Sequence, residues 1–63
     1  MKYLVGDMRY EKGLSLRQLA GQARVSKSYL QRIEAGEAAP SLEIMVRIAR
    51  VLDVPLDELY REE

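Results

Sequence analysis

The sequence predicts an all-α fold, a compact domain of five short helices round one core, and three observations carry that expectation. Helical periodicity recurs from segment to segment, while no strand alternation is sustained anywhere. Gly13, Gly36, Pro40 and Pro55 punctuate the chain at intervals that suit short helices. At 63 residues, with 48% hydrophobic and 32% charged side chains, the chain has material for one small core. Residues 1–63 therefore read as a single domain.

Each helix has its own local justification. The first is expected over roughly residues 2 to 11, with Val5 and Met8 inward and Gly13 beyond its end. Gly6 in its interior costs on the order of 1 kcal/mol relative to alanine, so this helix depends on packing. The second begins at Ser15, which forms an S-x-x-Q capping box with Gln18, and Leu14 and Leu19 can staple around it. Leu16, Leu19, Ala20 and Ala23 make its apolar stripe.

The third helix starts at Ser26, a good N-cap, with Val25 and Leu30 in stapling positions. Tyr29, Leu30 and Ile33 face inward, and Gly36 is placed to end the helix in a left-handed conformation. Only Arg24 and Val25 separate the second helix from the third. A link that short forces a sharp corner, and two capped helices at a corner outline a helix-turn-helix. Ser41 caps a fourth helix running to about Leu52, with a stripe of Leu42, Met45, Ala49 and Leu52 widened by Val46 and Ile48. Pro55 opens a last short helix carrying Leu56 and Leu59.

Composition excludes several classes of function. Without cysteine there is no disulfide framework and no thiolate nucleophile or metal site. Without histidine the commonest general base and the commonest metal ligand are absent too. No glycine-rich phosphate loop or strained nucleophile turn is present. The expectation is a protein that is not an enzyme and needs no metal or other cofactor. The longest apolar runs are far too short for a membrane span, and MKYLV is too brief for the apolar part of a signal peptide. Cytoplasmic residence is the default.

The formal charge is zero but unevenly distributed. Residues 1–32 hold seven lysines and arginines against Asp7 and Glu11. Residues 33–63 hold Arg47, Arg50 and Arg61 against eight carboxylates. A basic half beside an acidic half suits one surface for a polyanion and another kept away from it. On the third helix, Lys27, Ser28, Gln31, Arg32 and Ala35 lie opposite the apolar arc. Lysine and arginine can donate to guanine O6 and N7, glutamine can pair with adenine, and serine can serve either. Free N–H groups at the start of that helix favour phosphate, which places Ser26 at the rim of the same face. Most polar helix faces bind nothing; here the corner and the basic half point to duplex DNA.

The order of these pieces resembles a known family. MRYEKGLS, then LAGQARVSKSYLQRIEAG, then P-S-L-x-x-M with AxxLDVPLDEL, is similar to the lambda-repressor-like helix-turn-helix domain of the Cro/XRE type. The likeness runs from about Val5 to Leu59, and its specificity lies in the complete series. It implies that the third helix enters the major groove, with Lys27, Ser28 and Arg32 at base edges and Tyr29 and Gln31 beside them. It also implies that Arg9 and Glu34 pair, tying the first helix to the end of the third. Three positions depart from the family pattern. Leu16 replaces a glutamine that often touches phosphate, which shifts backbone contact to Ser15, Arg17 or Gln18. GEAAP replaces a loop often rich in basic residues. Arg24 stands at a turn position commonly held by glycine, where a left-handed conformation costs on the order of 1 kcal/mol.

The leading expectation is a sequence-specific transcriptional regulator, a repressor, binding duplex DNA as a homodimer on two half-sites. Ile44, Val51, Leu56 and Tyr60 are the candidate dimer or partner surface, with peripheral core as the plain alternative. The rival reading is an adaptor or antitoxin that uses the same fold for a protein partner, favoured by the zero net charge and by GEAAP.

Overall fold

The structure, a computed structural model, describes all residues from Met1 to Glu63. In chain order they form β1 (Lys2–Tyr3), α1 (Val5–Glu11), α2 (Leu16–Ala23), α3 (Lys27–Glu34), α4 (Leu42–Leu52), a 3-10 turn (Leu56–Glu58) and β2 (Tyr60–Arg61). Helices α2 and α3 pack on each other at the corner, α4 packs along α2, and α1 bridges α3 and α4. Val5, Leu19, Leu30, Ile33, Ile48, Leu52 and Leu59 fill the core and are essentially inaccessible to solvent.

Three helices begin at the serines marked by sequence. The Ser15 hydroxyl accepts from the Gln18 amide at 3.0 Å, and the Gln18 side chain accepts from the Ser15 amide at 2.8 Å, completing a capping box. Ser26 accepts from the Tyr29 amide at 3.0 Å and Ser41 from the Ile44 amide at 3.2 Å. Gly13 and Gly36 take the left-handed conformation, with φ of 73° and 79°. Two other residues do so without being glycine: Arg24 at φ 61° after α2, and Asp53 at φ 56° after α4.

The structure corrects three sequence expectations. There are four α-helices, not five: the last segment is a three-residue 3-10 turn. The Glu58 amide donates to the Pro55 carbonyl and that of Leu59 to Leu56, each at 3.0 Å, so the segment closes i→i+3 rings and has no room to propagate. The first helix begins at Val5, because Lys2 and Tyr3 instead pair antiparallel with Arg61 and Tyr60. The Leu4 amide extends that tie, donating to the Leu59 carbonyl at 2.7 Å. A two-residue strand shows no alternation, and its partner lies at the opposite end of the chain, so no local pattern signals it. Finally, Leu42 is 69% exposed while Ile48 is fully buried. Leu42 is the first residue of α4, so its place on the stripe at the helix end does not bring it into the core.

Candidate nucleic-acid interface

The outward face of α3 is set by its inward one. Leu30 and Ile33 are fully buried, which fixes the rotation of the helix and turns Lys27, Ser28, Gln31 and Arg32 to solvent. All four are exposed, and none makes a side-chain hydrogen bond or ion pair within the chain. Tyr29 is half-buried and packs against the core at the edge of this face. The protein thus presents two cations, an amide and a hydroxyl whose hydrogen-bonding capacity is satisfied by water alone.

The flanking candidates differ in what they retain. Ser15, Gln18 and Ser26 spend an acceptor oxygen on caps, yet each hydroxyl proton and the Gln18 NH2 group remain free to donate. Arg17 on α2 and Arg24 at the corner are exposed and unpaired. Leu16 is partly buried against the core, where it offers nothing polar. Glu37, exposed in the loop after α3, contributes a negative charge on that side.

The C-terminal end of α3 is tied down by α1. Arg9 Nε donates to Glu34 Oε2 at 2.8 Å and its Nη2 to Oε1 at 2.9 Å, a parallel two-bond fork. Its remaining Nη1 donates to the Leu14 carbonyl at 3.0 Å, just ahead of α2. The hydrogen bond to Glu34 holds the guanidinium pKa above its ordinary value, burial opposing it. The two side chains are only 21% and 15% exposed, so solvent screens this pair less than an ordinary surface bridge. Gly6 makes room for it. A Cβ there would lie 3.1 Å from Glu34 Oε1, so the helix-weakening glycine admits the carboxylate against the α1 backbone.

Sequence reasoning gave no role to Gly6 or to Arg47. Arg47 reaches from α4 to the corner, where Nη1 donates to the Ala23 carbonyl at 3.2 Å and to that of Arg24 at 3.4 Å. For Gly6 the signal was present, since a glycine inside an amphipathic helix invites a packing explanation. For Arg47 it was not, because an arginine beside an apolar stripe is ordinary. The four residues suggested as a partner surface, Ile44, Val51, Leu56 and Tyr60, are partly buried and pack against the core. The more exposed apolar side chains are Met1, Tyr10 and Leu42. The largest groove, about 560 Å³, lies between α4 and the 3-10 turn beside Val46, Arg50 and Val54, away from the outward face of α3.

A family model described as helix-turn-helix matches residues 7–59. The chain belongs to that family, in its Cro/XRE branch. Among its helix-turn-helix relatives are two named transcriptional regulators of Bacillus subtilis. The chain is 43% identical to SinR over 60 residues, covering 94% of itself and 54% of SinR. It is 43% identical to SlrR over 56 residues, covering 87% of itself and 37% of SlrR. It therefore spans about half or less of these relatives' lengths. Among solved structures, SinR in complex with DNA superposes on this helix-turn-helix domain with a TM-score of 0.80 at 41% identity, covering 84% of this chain and 86% of that one. No helix of the protein is long and apolar enough to cross a membrane.

Proposed function

We propose that this domain binds duplex DNA sequence-specifically in the cytoplasm and regulates transcription, as a repressor acting through a homodimer on two half-sites. The observation that carries this reading is the outward face of α3. Its Lys27, Ser28, Gln31 and Arg32 are exposed and unpartnered on a helix whose other face and far end are firmly held. In the major groove Lys27 and Arg32 would donate to guanine, Gln31 would pair with adenine, and Ser28 would take either partner. Tyr29 and the free donors of Ser15, Arg17, Gln18, Arg24 and Ser26 would set register on the phosphates. That a relative of similar fold has been solved in complex with DNA supports the DNA-binding reading.

One small domain with an acidic residue in its α3–α4 loop has few phosphate anchors, so two copies on adjacent half-sites would supply the affinity. The test is a selection from random duplex DNA at moderate salt, sequenced after several rounds. Enrichment of two inverted half-sites about one helical turn apart is expected. A single unpaired site would remove the dimer from the reading. No enrichment over the starting pool would overturn DNA recognition and favour a protein partner.

A further inference from the structure

We infer that Arg47, on α4 and remote in sequence from the helix-turn-helix, is a positioning residue that sets the angle at which α3 is presented. This rests on the DNA-binding reading above. The corner between α2 and α3 is short, and its carbonyls are not held by backbone hydrogen bonds. It consists of Arg24 in a left-handed conformation that a side chain adopts at a cost, followed by the half-buried Val25. The amides there are paired, Arg24 to the Gly21 carbonyl at 3.4 Å and Val25 to that of Ala20 at 3.0 Å. The carbonyls of Ala23 and Arg24 accept no backbone hydrogen bond; their partner is Arg47 Nη1, at 3.2 and 3.4 Å. One nitrogen thus spans both carbonyls of the peptide units that join α2 to the turn before α3.

The energetics favour a positioning role over a stabilising one. Both bonds are long, and the Arg24 carbonyl lies at the exposed edge where water can replace the guanidinium. Arg47 Nε is buried without a hydrogen-bond partner, a desolvation cost that offsets part of what the two bonds contribute. The guanidinium therefore adds little net stability while tying the corner to α4. Groove recognition responds to such a tie, because a small rotation of α3 moves its polar atoms out of register with base edges.

The experiment compares the wild type with Arg47→Met, which keeps the aliphatic stem and removes every donor, and Arg47→Lys, whose single ammonium can serve both carbonyls. Each is taken through the DNA selection and a salt titration at a temperature where circular dichroism shows it folded. The methionine variant should lose roughly tenfold in affinity at the preferred site, the scale of one lost base contact, and its base preferences should blur. Its salt slope should match the wild type, and lysine should restore the preferences. Wild-type preference in the methionine variant would overturn the assignment, as would failure of lysine to restore it. A salt slope lowered by about one with sharp base preference would mean that Arg47 touches phosphate itself, which also overturns it. If Arg47→Met does not fold, Arg47→Gln, whose shorter amide cannot span both carbonyls, replaces it under the same criteria. Absence of selection by the wild type would sink the DNA reading instead, so the two failures are distinguishable.

Discussion

The inner and outer faces of α3 obey opposite rules. Inward, Leu30 and Ile33 have no solvent exposure, and Glu34 at the end of the helix is gripped by Arg9 in a two-bond fork. Outward, Lys27, Ser28, Gln31 and Arg32 are exposed and make no side-chain hydrogen bond or ion pair within the protein. The difference teaches that core packing and the proposed recognition surface are divided within eight residues of one helix. One face can be rigid because the other is left unsatisfied, and a rigid support keeps unpaired donors in register for an external partner.

Substitutions along this helix can break the comparison, and they rank by expected effect on stability. Ile33→Ala deletes a buried side chain at the centre of the core and should cost about 2–5 kcal/mol in denaturant unfolding. A small loss would mean that the core closes readily over the gap. Glu34→Ala leaves the part-buried Arg9 guanidinium without its carboxylate and should cost about 1–3 kcal/mol. If Arg9→Ala and the double variant show the same loss, the two residues act as one unit, and a double-mutant cycle measures their coupling.

Smaller effects sharpen the boundary between the faces. Ser26→Ala removes the cap on the Tyr29 amide and should cost about 1 kcal/mol, visible as a modest drop in melting temperature. Arg32→Ala should leave stability within about 0.5 kcal/mol, because the side chain is exposed and unpaired. The same change should weaken binding at the selected DNA site by about 1–3 kcal/mol and blur one base position. Unchanged affinity and base preference in that variant would remove Arg32 from the reading face.

Much of this architecture was written locally. Ser15, Ser26 and Ser41 each precede an amphipathic stretch, and each makes its cap because the bonds involved lie within three residues of the serine. The stripe of Leu19, Ala20 and Ala23, and the pair Leu30 and Ile33, announce their burial through the helical period. The same period placed Lys27, Ser28, Gln31 and Arg32 on one outward arc. Arg24 could be singled out because it stands where the family the sequence resembles commonly has glycine, and it does take the left-handed conformation.

What local pattern could not decide was where separate segments meet. The pairing of Lys2 and Tyr3 with Arg61 and Tyr60 joins the two ends of the chain, and two residues are too few to show a period. Leu42 shares the spacing of a core residue, yet at the first position of α4 it remains exposed while Met45, one turn on, is buried. Gly6 gains its purpose only when α3 brings the Glu34 carboxylate to 3.1 Å from where a Cβ would stand. Arg47 gains its purpose only when α4 lies beside the end of α2 and puts two orphaned carbonyls within its reach. Sequence by itself determined the serine-capped starts of α2, α3 and α4, their faces and the corner, because those depend on neighbours within one or two turns. The tertiary structure decided which side chains brace that corner and that helix, because bracing depends on atoms far apart in the chain that only folding brings together.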